Sequence, residues 1–365
     1  MKNRFPPLSL LICALLFAAG CGGAGGGDGD GPGPVDVTRF GTPREIGTGV
    51  LNGTTLDGSA AYVEEADERF PEPGCEGQPN PAMFRLPLAG GERQLVGGGD
   101  TPLHGNLVRG GSEGQVAIVA VCESFFTDLW IGRESRQGEI SDLRRVTPSV
   151  PENFLLNATT VSWSNDGSTL LGALQDVNAP DGAPAQVVTI NPESGQITKL
   201  FDAEQGTGVF KVGQMKNGRY VVATNLVVSF RDEAGVVLAG FQGQGFEIAP
   251  GGEEMVVFGR NLMRVPQGGT RASQVVEQIE GREITSAHFS PDGEAVAITR
   301  LIAGGGEVEV AIVTLEDSEL TSVVTAAPYG PAWFSGDGRA LVFTQLGGEP
   351  DFTSRVYVTR FEEAG

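Results

Sequence analysis

The sequence predicts an all-β fold, a β-propeller of about seven four-stranded blades whose ring is closed by an N-terminal strand. Three observations predict it. A hairpin motif recurs at blade spacing, Gly-punctuated short apolar runs replace long helical heptads, and the last unit lacks a fourth strand of its own.

The hairpin is clearest at Val161-SWSNDGSTLLGAL, Ala287-HFSPDGEAVAITRL and Ala332-WFSGDGRALVFTQL. Each has an alternating aromatic strand, a polar turn with Asp-Gly, and a second apolar strand. Glycine supplies the positive φ that such a turn needs. These turns are Asp166-Gly167, Asp292-Gly293 and Asp337-Gly338, and fainter copies lie at Asp57-Gly58, Glu113-Gly114, Asn217-Gly218 and Gly251-Gly252. Their spacing brackets the roughly 40–50 residues of a propeller blade. The interval from Asn217 to Gly251 is the shortest and demands very short hairpins. Recurrence at blade spacing assigns the turn carboxylates to local N–H groups rather than to chemistry.

The outer half of each unit repeats as well. Ala82-MFRLPLAGGERQLV, Asp128-LWIGRESRQGEISDLRRVT and Gln186-VVTINPESGQITKLF each read as strand, polar turn, strand. Leu262-MRVPQGGTRASQVVE and Val310-AIVTLEDSELTSVVT follow the same form. The last unit ends after Arg355-VYVTRF, while Gly41-TPREIGTG resembles the end of unit one. A strand at residues 43–47 is therefore expected to complete the last blade and remove an exposed edge.

The Ser-Pro-Asp-Gly run at Ser290 to Gly293, matched in part at Ser164 to Gly167 and Ser335 to Gly338, resembles the WD-like (PD40) repeats of TolB-type propellers. By extension the resemblance covers residues 36–365. It implies a periplasmic or surface binding protein with no chemistry of its own. TolB-type proteins carry a further N-terminal α/β domain, and no room for one lies between linker and first blade, so their partners do not carry over.

The N-terminal segment has another character. Lys2 and Arg4 precede an apolar run from Leu8 to Ala19, shorter than the roughly 20 residues that span a bilayer. This is the build of a signal peptide. The run ends Ala18-Ala19-Gly20-Cys21, which resembles a bacterial lipobox and implies lipid on Cys21; Gly22 in place of Asp implies the outer membrane. Gly22 to Pro34 contains nothing larger and apolar than Ala or Pro, as a flexible tether does. The expected organisation is a signal peptide over 1–20, a tether over 21–35 and a propeller over 36–365.

Charge and cysteine usage bound the partners. A formal net charge of −21 excludes phosphate-backbone recognition and direct contact with anionic lipid. The membrane is met only through Cys21, and the expected partner is a protein of the cell envelope bound by a monomer. Cys13 leaves with the signal peptide; Cys75 and Cys122 form either a disulfide between neighbouring units or two separate thiols.

Chemistry is sparsely supplied. The two histidines are His104, in a loop, and His288, at a repeat position that reads as a packed blade residue. No metal, cofactor or catalytic constellation is expected, since zinc wants three or four ligands and no nucleophile elbow or P-loop occurs. The binding surface is expected where the longer inserts fall in equivalent places: residues 64–81, 175–185, 303–309 and 349–354, with Phe125-Phe126 beside them. A lyase, hydrolase or small-molecule binder working in the central funnel is the alternative.

Overall fold

The computed structural model describes residues 35–66, 81–96, 105–110, 114–122, 125–179, 183–204, 208–225, 227–269, 271–276, 282–302, 307–326, 328–346 and 353–363. Every regular element among them is a β-strand, and the strands form seven antiparallel sheets. Blade 1 is β3 (Val50–Thr54), β4 (Ala60–Ala66), β5 (Pro81–Pro87) and β6 (Gln94–Leu95). Blade 2 is β7 (Asn106–Arg109), β8 (Gln115–Cys122), β9 (Phe125–Glu134) and β10 (Ile140–Val146). Blade 3 is β11 (Phe154–Trp163), β12 (Leu170–Asp176), β13 (Gln186–Ile190) and β14 (Ile197–Asp202). Blade 4 is β15 (Val209–Gln214), β16 (Tyr220–Thr224), β17 (Val227–Arg231) and β18 (Val237–Gln242). Blade 5 is β19 (Gly245–Ile248), β20 (Glu254–Phe258), β21 (Leu262–Pro266) and β22 (Ser273–Val276). Blade 6 is β23 (Arg282–Phe289), β24 (Ala295–Ile302), β25 (Val308–Thr314) and β26 (Leu320–Ala326).

Blade 7 closes the ring as expected. Its own strands are β27 (Pro328–Phe334), β28 (Ala340–Leu346) and β29 (Ser354–Glu363), and β2 (Arg44–Thr48) pairs with β29 from the other end of the chain. The long β29 also pairs with β1 (Val35–Phe40). The clasp is therefore two short strands rather than one. Arg44 donates from Nη2 to the Leu88 carbonyl of blade 1 at 2.7 Å, and Thr359 Oγ1 donates to the Gly41 carbonyl at 2.6 Å.

The recurrent turn explains the inner hairpins of blades 1, 3, 4, 6 and 7. Thr55, Ser164, Ser290 and Ser335 donate a hydroxyl hydrogen bond to Oδ1 of Asp57, Asp166, Asp292 and Asp337, at 2.5–2.7 Å. The same oxygen accepts the N–H of Ser59, Ser168, Glu294 and Arg339 at 2.9–3.1 Å. Asn217 accepts in the same way from Arg219 N at 3.2 Å. The glycines that follow, Gly58, Gly167, Gly218, Gly293 and Gly338, all have φ between 68° and 84°. The Asp166 carboxyl is held below the ordinary carboxylate range by the hydroxyl of Ser164 and the amide and hydroxyl of Ser168. At Gly58 a second demand applies: a Cβ there would stand 2.4 Å from Asp337 Oδ1, so the first turn can nest against the seventh only without a side chain.

Packing follows from the radial sheets. Each blade is covered on both faces, so its middle strands are buried throughout, as in β16 and in Leu170 to Leu174 of β12. The buried apolar residues form seven clusters, one for each pair of neighbouring blades. The blade 7–blade 1 cluster joins Ile46 of β2, Trp333, Val342 and Val358 to Leu51, Ala61, Val63 and Phe84. The short spacing after Asn217 is accommodated by short strands: β16 and β17 are separated only by residues 225–226, and β19 is four residues long.

Deleting residues 36–47 is expected to cost at least about 3 kcal/mol, from the lost burial of Ile46 and the lost ladder to β29. Calorimetry of the truncated chain should show a melting temperature lower by several degrees. An unchanged melting temperature would overturn the closure.

Candidate functional site

The antiparallel order gives the ring two unlike faces. Inner strands β3, β7, β11, β15, β19, β23 and β27 all run toward the first hairpin of their blade, and these seven hairpins define a turn face. The connections between second and third strands leave the opposite, loop face. Residues 67–80, 123–124, 180–182, 303–306 and 347–352 belong to those connections and lie outside the described residues, as do His104, Cys21 and Cys75. The segment carrying Cys75 leaves β4 at Ala66 and enters β5 at Pro81, and β8 of the next blade ends at Cys122 on the same face. β9 starts at Phe125 on that face; the side chains of Cys122, Phe125 and Phe126 are not among those described.

Four exposed large hydrophobic side chains lie on the loop face. Val50 opens β3, Leu155 lies at the start of β11, Val177 follows β12 and Leu301 lies near the end of β24. Among the described residues the turn face has Leu56, and Val236, Val237 and Leu238 lie at the turn-face end of blade 4's rim, in the β17–β18 turn and at the start of β18. Apolar groups of this size left in water at the axial ends of inner and second strands suit a contact surface.

Charged groups on the inner strands have another role, which the sequence reading passed over. Lys211 of β15 reaches into the next blade, where Nζ donates to Glu247 Oε2 at 2.6 Å and to the Phe246 carbonyl at 2.9 Å. Gly213, also on β15, leaves the space that the Phe246 ring fills, since a Cβ there would stand 2.9 Å from its Cε2. Glu247 Oε1 faces His288 Nδ1 at 3.6 Å, and the His288 ring stacks on Trp333 with centroids 3.7 Å apart and planes 20° from parallel. All four residues are buried. His288 is thus the packed blade residue that its repeat position suggested.

The remaining blade interfaces are bridged near the axis too. Ser162 Oγ donates to the Val212 carbonyl at 2.7 Å, and Trp163 Nε1 to the Val108 carbonyl at 3.1 Å. Thr54 Oγ1 donates to the Phe334 carbonyl at 2.8 Å. Arg109 donates to the Thr54 carbonyl and, from Nε, to Glu134 Oε2 at 2.7 Å, while Tyr62 Oη donates to Glu134 Oε1 at 2.9 Å. Burial, with the negative charge of Glu134 adding to it, drives the Tyr62 phenol far above its usual range. Tyr62 is a fixed donor at any working pH.

Glu247 shows what such a bridge demands. Burial by itself would raise its pKa, but the Lys211 ammonium and the adjacent His288 outweigh it and hold the carboxyl below the ordinary range. A signal for the pair was present in the sequence: Lys211 and Glu247 are lone charges in the apolar runs Val209-Phe-Lys-Val and Gly245-Phe-Glu-Ile.

Lys211→Met should strand Glu247 as a buried unpaired charge and lower stability by about 3–5 kcal/mol in urea unfolding. Lys211→Met with Glu247→Gln should recover much of that loss. Because the folded pKa of Glu247 is depressed, its contribution is complete above the unfolded Glu value near 4.3 and is lost as pH falls through the folded value. Acid titrations of wild type and Glu247→Gln should diverge above that window and converge below it.

No family model matches the chain, and no curated protein matches it by sequence. Solved structures do. The Pan2 WD40 domain of Neurospora crassa superposes with a TM-score of 0.53 at 11% identity, covering 92% of this chain and 99% of that one. TolB from Acinetobacter baumannii superposes at 0.45 and 14% identity, over 69% of this chain and 64% of that one. An oligogalacturonate lyase from Vibrio parahaemolyticus does so at 0.39 and 14%, over 87% and 74%. The last two are loose superpositions and carry no further weight. Agreement with the Pan2 domain over nearly the full length of both chains bears on architecture alone, and by architecture this chain is a seven-bladed β-propeller.

Proposed function

We propose that the chain is a cell-envelope lipoprotein, anchored in the outer membrane through lipid on Cys21, whose propeller binds a protein partner through its loop face and carries no chemistry of its own. The observation that carries this reading is the division of labour between axis and face. On the inner strands Lys211 and Glu247 bridge blades 4 and 5 and Arg109 donates to the Thr54 carbonyl of blade 1, while the exposed aliphatic side chains Val50, Leu155, Val177 and Leu301 lie on the loop face. A net charge of −21 favours a partner with a basic surface. Gly22 to Pro34 gives the ring a reach of roughly 20 Å from its anchor.

A second reading, a small-molecule or glycan site in the funnel, draws on one specific observation. Among the described residues Ser286 Oγ and Trp333 Nε1 are buried on adjacent inner strands without a hydrogen-bond partner. Groups of this kind are what a polar ligand would engage.

Crosslinking in cells followed by purification of the full chain separates the two readings. A protein partner recovered with wild type, and reduced at least about tenfold when the 67–80 and 177–185 loops are shortened, supports the loop face. Recovery of a glycan or small molecule without protein transfers the function to the funnel. In the same cells Cys21→Ala should leave the membrane fraction and lose fatty-acid labelling. Membrane retention of that variant would remove the lipid anchor from the reading.

A further inference from the structure

Six blades blunt their outer edge and one does not. β6 is two residues long and β22 four. β10 carries exposed Asp142, Arg144 and Arg145, and β14 carries exposed Lys199 and Asp202. β26 is uncharged, but its Val323 and Val324 pack in one cluster with Val37 and Phe40 of β1. The edge of blade 7 bears Asp36, Arg39, Arg44 and Glu45. Short edges, charges and covering segments are the ordinary defences of a sheet against pairing with another chain.

β18 of blade 4 has none of these three, and its one edge device is a bulge at its entry. No charge occurs between Glu233 and Glu247. Val236, Val237 and Leu238 are 58%, 42% and 41% exposed, at the entry to the strand. A bulge at Leu238 interrupts the ladder to β17, beyond which Ala239, Gly240, Phe241 and Gln242 pair in register with Phe230, Ser229, Val228 and Val227. β18 ends its sheet, so among the described residues the other side of its backbone has no strand partner.

We propose that β18 is the contact of a homodimer, in which the strands of two copies pair antiparallel across a two-fold axis near Gly240. What the edge leaves unpaired is backbone N–H and C=O, so its complement is an extended strand. Charge selects the copy. Two chains of net charge −21 repel over most of their surface, and an uncharged strip is where they can close. The same strip offers nothing to a partner recruited by carboxylates. Antiparallel pairing also sends Asp232 and Glu233 of each copy toward the uncharged Gly243–Gly245 end of the other, whereas parallel pairing would set them side by side. The dimer departs from the monomer expected from sequence. It places the contact on the rim, independent of what the loop face binds.

A photo-crosslinking residue at position 238 of the full chain, in cells, tests this. The expected product runs at twice the monomer mass, with crosslinks mapping between residues 232 and 244 of a second copy. The same probe at Leu56 on the turn face should give none. Val236→Lys/Val237→Lys, which alters only exposed side chains, should reduce the product at least about tenfold with an unchanged melting temperature. No product, a product with another protein, or a dimer indifferent to the two lysines would each overturn the proposal.

Discussion

The structure depends on a single constraint: a radial sheet with apolar side chains on both faces must have a neighbour on both sides. The middle strands of these blades are buried over most of their length, so no blade is complete alone, and the last must meet the first. Closure is therefore a condition for every interface at once. It is secured where the two ends of the chain share a sheet, β29 holding both β1 and β2, and where Ile46 enters the cluster between blades 7 and 1. In the proposed lipoprotein the tether would leave from β1, next to the strand that locks the ring. Pull on the anchor would be borne by the β1–β29 ladder first.

Apolar clusters supply most of the adhesion between blades, but they do not fix registration, because dispersion and burial are non-directional. The polar bridges near the axis do. Ser162 to the Val212 carbonyl, Trp163 to the Val108 carbonyl, Thr54 to the Phe334 carbonyl and Lys211 to Glu247 each set one inner strand at a fixed height against the next. Each works only at that height. The nesting of Gly58 against Asp337 repeats the constraint at the turn face.

Much of this was legible in the sequence because it repeats. The Ser-x-Asp-Gly hairpin announces itself through residues whose roles are local: a hydroxyl, a carboxylate and a positive-φ glycine within four positions. The closing strand was legible because Arg44-Glu45-Ile46 resembles a fourth strand that the last unit lacks. β1 was not, since Val35 to Phe40 looks like the end of a linker and gains its pairing only from the length of β29. The Lys211–Glu247 bridge was not read because its meaning lies between two repeats, in a side-chain direction that depends on parity along the inner strand. Loop-face inserts show the reverse case. Sequence spacing places them on one face, but nothing local in residues 67–80 specifies what they touch.

The bridges also bear on where function can reside. A residue near the axis that takes part in registration is not free to change without loosening an interface, and an unpaired charge left behind costs several kcal/mol. Surface connections carry no such burden: lengthening a loop costs little entropy and leaves the ladders intact. Selection acting on such a ring meets resistance at Lys211, Glu247 and Arg109 and little in the connections leaving β4, β12, β24 and β28. Novel recognition is therefore cheapest on the loop face, whereas chemistry in the funnel would have to be built from groups such as Ser286 Oγ and Trp333 Nε1 that no bridge employs. The same reasoning separates rim from face. An edge strand contributes only its backbone, so a contact through β18 can exist without any residue of the loop face being committed to it.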